Sequence, residues 1–171
     1  DMNFSLFSKK PDPLVKSAED LIKAANVLGI TSYTRLAIEL PIVNKVNTEQ
    51  WDWVFTVASV FIATTRLHSL KLEGPREDKI LEIISQNLAS WKPDGLAGFD
   101  DCKTFFDRTY DALAGRNEYK ADNQFLASDA LGSWMAWNLL GHASESEDER
   151  KLVRIAGAFV VHSFFDWWET T

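Results

Sequence analysis

Between Trp51 and Leu70 the chain reads WDWVFTVASVFIATTRLHSL, and no other stretch restricts the fold so strongly. From Trp53 through Thr65 it holds no charge. At helical spacing, Trp51, Val54, Phe55, Ala58, Phe61 and Ile62 share one side, and Val57, Val60, Ala63 and Leu67 widen that side almost to a full circle. A helix that is apolar nearly all round has to be covered by its neighbours. One narrow stripe escapes the pattern: Asp52, Thr56, Ser59, Ala63 and Arg66. The chain is therefore expected to be all-α, a single-domain globular bundle of about six or seven helices around a buried central helix, 51–70.

The flanking segments supply the covering helices. Asp12-Pro13 is a helix start, because the Asp side chain accepts from free amides and Pro suits the first turn. Leu14, Val15, Ala18, Leu21, Ile22, Ala25 and Leu28 then recur at three and four residues. Gly29 stands where a left-handed cap would end that helix at about residue 28. Thr31 or Ser32 would open a second helix, which Pro41 stops near Leu40, and Ile42 to Val46 make a short turn. Asn47-Thr48 caps the central helix.

Beyond the Gly74-Pro75 break, Ile80, Leu81, Ile84, Leu88 and Trp91 form the stripe of a fourth helix, closed by the turn Lys92–Gly95. A fifth, from about Asp100 to Ala114, turns Cys102, Phe105, Phe106, Tyr110 and Leu113 inward. The polar loop Arg116–Ala121 after it is expected at the surface. Asp122 or Asn123 opens a sixth helix, rich in small residues, to about Leu140. Gly132 inside it points to a tight crossing, because an interior Gly costs about 1 kcal/mol against Ala. Ser146 and Glu149 form a capping box for the last helix, about Glu147 to Glu169. No stretch alternates apolar and polar residues between turn signals, so no strand is expected.

With 171 residues the chain is long enough to bury a core without a metal or disulfide. Residues 12–171 read as one helical domain. Residues 1–11 read as an arm, with Phe4, Leu6 and Phe7 ahead of Lys9 and Lys10, expected to dock on the domain or stay loose. Met2 reads as a natural start with Asp1 ahead of it. The net charge of −7 disfavours nucleic acid and anionic membrane faces. The uncharged run is shorter than the about 20 residues of a spanning helix, so stable membrane insertion is not expected. The single cysteine, Cys102, cannot form an internal disulfide, and with no long apolar N-terminal run the expected location is cytoplasmic.

Chemistry is sparse. Asp100, Asp107 and Asp111 share a helix face on which a divalent cation could bind, but Lys103 and Arg108 beside them favour a solvated, ion-paired face. The three histidines, His68, His142 and His162, lie outside any zinc-site spacing. His162 and Asp166, four apart, could share a proton or contact a ligand, although their helix side is polar. No nucleophile motif and no cofactor motif is present.

The seven Trp and eleven Phe carry most weight. Adjacent helical residues diverge by about 100°, so Trp134-Met135-Ala136-Trp137 and Phe164-Phe165-Asp166-Trp167-Trp168 cannot all face one core. Trp134, Trp137, Phe165 and Trp168, with His162 and Asp166, are the candidate contacts for a partner or ligand. The leading expectation is a non-enzymatic interaction module whose acidic surface and exposed aromatics engage a partner protein or a second copy. One alternative is a protein that binds a lipid or small apolar molecule between the central helix and the Trp134–Trp137 helix. The other is a cation-dependent enzyme using the helix carboxylates.

Overall fold

Asn47 sets the start of the core helix. Its side-chain oxygen accepts from the amides of Glu49 and Gln50 at 2.8 and 3.3 Å, two of the donors that a helix start leaves free. In the computed structural model, which describes residues 12–170, helix α2 runs from there over Thr48–Leu67, and a 3₁₀ turn, His68–Leu70, completes it. Trp51, every residue from Trp53 to Ala63, and Leu67 are buried. The span Thr48–Leu70 counts 23 residues and holds an 18-residue window of mean hydropathy 1.2, so by length and composition it could cross a membrane, being longer than the uncharged run suggested. Yet 67% of that apolar window is buried inside the protein.

The covering helices are α1 (Pro13–Glu39), α3 (Gly74–Trp91), α4 (Phe99–Ala114), α5 (Asn123–Leu140) and α6 (Glu147–Phe164). The fold is an all-α bundle around α2, with no strand among the described residues. The N-terminal arm lies outside the described residues. The polar stripe of α2 is where α1 and the C-terminal turn settle. Thr56 donates to Asn26 Oδ1 at 2.7 Å, and Trp168 Nε1 donates to the Ala63 carbonyl at 2.8 Å. Arg66 Nη2 reaches Glu169 at 2.6 Å.

Three expectations need correction. The helix starting at Pro13 does not end at Gly29 but continues to Glu39, absorbing the separate helix expected after Thr31. Gly29 serves a crossing instead: a Cβ there would stand 3.4 Å from Asp52 Cα, and Trp51 Nε1 donates to its carbonyl at 3.0 Å. Thr31 and Ser32 turn their hydroxyls back onto the carbonyls of Val27 and Gly29 rather than capping forward amides. The loop after α4 is not wholly exposed, because it folds into a 3₁₀ turn, Asn117–Tyr119, that buries Tyr119. The last helix stops at Phe164, and a 3₁₀ turn, Trp167–Thr170, folds back on the bundle.

The tight crossing expected at Gly132 is present, and Gly157 is its other half. A Cβ on Gly132 would lie 2.0 Å from the Val153 carbonyl oxygen; one on Gly157 would lie 2.0 Å from that of Ser128. The two backbones therefore meet directly where α5 crosses α6. Pro41 ends α1, and the Ser146–Glu149 capping box starts α6 with both reciprocal bonds formed.

Candidate functional site

The outward face of α1 changes character halfway along. Lys16, Asp20 and Lys23 occupy its first half at one-turn spacing. Val27, Ile30, Thr34 and Ile38 follow on the same face, and Val27, Ile30 and Ile38 are 58%, 61% and 81% exposed. Large apolar residues aligned over three helical turns and left open to solvent differ from the single exposed apolar residues that any surface carries.

Beside that stripe α1 and α6 part to leave a groove of about 570 Å³. Leu28, Thr31, Ser32 and Arg35 form the α1 wall; Ala158, Phe159, His162 and Ser163 form the α6 wall. The Arg35 guanidinium lies 5.5 Å above the Phe159 ring, and among the described residues no carboxylate pairs with it. A second cleft, of about 540 Å³, opens between α3 and the start of α4 over Trp53, Leu81, Ile84, Leu88 and Phe99, with Lys92, Asp100 and Asp101 also in its lining. Trp53 is fixed at its floor by donating to the Ala97 carbonyl at 2.8 Å.

The candidate residues read from the sequence scatter. Trp134 is fully buried and donates to Asp101 Oδ2 at 2.9 Å, while Trp137 is 46% exposed and leans on Phe105 at 6.3 Å between ring centroids. The helical wheel separated the two without telling which faced inward. Trp168 is buried too, so neither it nor Trp134 can serve as a surface anchor; both are core. Phe165 is half-buried beneath the Arg66 guanidinium, 4.6 Å from it. Arg66 also draws Asp166, at 3.8 Å, away from any pairing with His162, which stands exposed in the α1–α6 groove. Trp134 and Met135 are packed into the common core, and neither cleft lies between α2 and α5, where an apolar pocket was expected.

Asp107 is exposed and paired with Lys103 at 3.6 Å, and among the described residues no three His, Cys, Asp or Glu side chains gather as a metal ion would require. Burial raises the Cys102 thiol well above its ordinary pKa, with Asp101 adding to the effect, which leaves it un-ionised and inert near neutral pH. His142 is held above its usual value, first by its hydrogen bond to the Ala143 carbonyl and then by Glu149.

Sequence reading missed a buried polar cluster. Tyr119 donates to Asp129 Oδ2 at 2.6 Å, and Arg154 Nε stands 3.9 Å from the same oxygen. Asp129 is only 5% exposed, and its Oδ1 has no hydrogen-bond partner among the described residues. Burial, then the bond to Asp129, pushes the Tyr119 hydroxyl up to about 12. The group pins the loop after α4 onto α5 and α6. Its members come from three separated segments, so no local signal marks them.

Comparison with protein-family models, with curated proteins and with solved structures finds no match to this chain. The functional reading therefore rests on its own geometry.

Proposed function

We propose that this chain is a helical interaction module that docks a partner protein along the exposed second half of α1. The observation that carries the reading is the stripe Val27, Ile30 and Ile38, turned to solvent beside the α1–α6 groove. Holding three branched apolar side chains in water gains the fold nothing, and covering them with a partner recovers transfer free energy of about 25 cal/mol per Å². Two helices flanking an open groove also suit the helix-in-groove mode of recognition. The aromatic anchor once expected at Trp168 is replaced by this stripe, with Trp137 a smaller patch elsewhere.

Ile38→Asp tests the reading, since the side chain is 81% exposed and its loss leaves the core untouched. Expected is an unchanged melting temperature and loss of the partner retained by wild-type protein in matched captures from the native cell. Equal retention by both proteins would overturn the docking face.

A second reading has one observation in its favour. The cleft over Trp53 falls in the volume range of small-molecule sites, about 300–1,000 Å³, and its floor is mainly apolar. Native mass spectrometry of freshly purified protein separates the two, because a co-purified apolar compound that Leu81→Asp releases and Ile38→Asp retains supports this cleft and not the α1 face.

A further inference from the structure

We propose that the occupant of the α1–α6 groove is an amphipathic helix of another protein, carrying carboxylates along the flank that meets Arg35 and His162. The inference rests on the docking reading above and names the partner's chemistry.

The charge of the groove runs against that of the chain. Twenty-five acidic residues against eighteen Lys and Arg give a net charge of −7, yet among the described residues the groove lining holds Arg35 and His162 and no carboxylate. Arg35 rests on an aromatic face rather than on an acid, so its donors remain available to a planar carboxylate. Leu28, Ala158 and Phe159 give the same groove an apolar floor. A ligand that satisfies both features presents apolar and anionic groups side by side.

Length selects a helix over a small molecule. From Val27 to Ile38 the apolar stripe spans about 16 Å at 1.5 Å per residue, about three turns of a partner helix packed alongside. Thr31 belongs both to the stripe's face and to the groove, so one helix can touch both. Symmetry argues against a second copy of this chain. A two-fold interface centred on the groove sets the same lining against itself, and among the described residues that lining offers no acid to meet Arg35 or His162.

The test uses two synthetic helical peptides of about 18 residues that share one Leu face and differ in their flanks, Glu in one and Lys in the other. Each is titrated against isotope-labelled full-length protein while backbone amide signals are followed. The Glu-flanked peptide should move signals of residues 27–38 and 158–163 and bind at least about tenfold tighter than its Lys counterpart. Arg35→Gln should weaken it about tenfold, and Ile38→Asp should abolish binding of either peptide.

Equal or tighter binding of the Lys-flanked peptide at the same residues, lost in Ile38→Asp, would reject the acidic occupant and leave the docking face standing. Failure of the Glu-flanked peptide to shift those residues overturns the inference, while the docking reading is then decided by the capture comparison. A dimer of the protein alone that Ile38→Asp dissociates in sedimentation makes the second copy the occupant and also overturns it.

Discussion

The two flanks of α6 are packed in opposite ways. Toward α5, Gly157 and Gly132 let the backbones touch, and Leu152, Val153, Ala156, Val160 and Val161 are buried along the helix. Toward α1, Ala158, Phe159 and His162 face a groove of about 570 Å³. Residues one position apart, Gly157 and Ala158, thus belong to the tightest and the loosest surroundings of the helix. A helix clamped by backbone contact on one side needs little from its other side for stability, and that side is free to receive something else.

The sharpest way to break the contrast is to add one methyl group to the clamped side. In Gly157→Ala the new carbon would stand 2.0 Å from the Ser128 carbonyl oxygen and 3.1 Å from Gly132 Cα, both backbone atoms that cannot rotate away. The helices must separate, and the expected loss is about 4 kcal/mol, at the diagnostic end for a single substitution, read by urea denaturation. A loss under about 0.5 kcal/mol, the range of an ordinary surface change, would mean that α5 and α6 are not in backbone contact in solution.

Tyr119→Phe probes the same flank at its polar edge. It removes the hydrogen bond to buried Asp129 Oδ2, leaving that oxygen with Arg154 Nε at 3.9 Å, beside an Oδ1 that already lacks a partner among the described residues. The expected cost is about 2 kcal/mol. It also carries a pH signature. The hydroxyl titrates near 10 when unfolded and about 12 when folded, so between those values the folded chain holds the proton more tightly. The stabilisation from Tyr119 is full below about 10 and fades as pH rises toward about 12, and Phe at this position removes that part of the slope. An unchanged profile in base would place Tyr119 in solvent.

How much of this was legible follows from whether a feature is local. Asn47, Pro41 and the Ser146–Glu149 pair act within four residues of themselves, and each fixed a helix end at the expected place. Gly132 was readable because a glycine inside a helix has a cost that something must offset. Gly29 misled for the same reason: a glycine after an apolar stripe fits a cap and a crossing equally, and its neighbour Asp52 lies in another helix. Trp134 and Trp137 are three apart on one helix, and which of them is buried depends on α4, whose Asp101 receives the Trp134 indole. The Tyr119–Asp129–Arg154 cluster needs three segments to be placed before it exists. The exposed stripe was in principle visible, since Val27, Ile30 and Ile38 lie opposite Leu21, Ala25 and Leu36. Reading Gly29 as a helix end cut the stripe in two and concealed it.

Ala158→Leu carries the smallest expected effect on stability and discriminates most between the flanks. Ala158 is exposed and lines the groove, and Leu is nearly as good a helix former as Ala. Three added carbons have open space to enter, so the stability should change by no more than about 0.5 kcal/mol. One position earlier, a single carbon is expected to cost several times as much. The same three carbons occupy the groove floor, so the Glu-flanked helical peptide should lose about tenfold in affinity while Trp137→Ala, which is not part of the groove lining, leaves it unchanged. Were Ala158→Leu to destabilise the fold as Gly157→Ala does, α1 and α6 would be closed on each other in solution and no groove would exist to fill. Were it neutral in both stability and peptide binding, the partner helix would have to lie on the Val27–Ile38 ridge alone, and the acids proposed to meet Arg35 and His162 would have no place to sit.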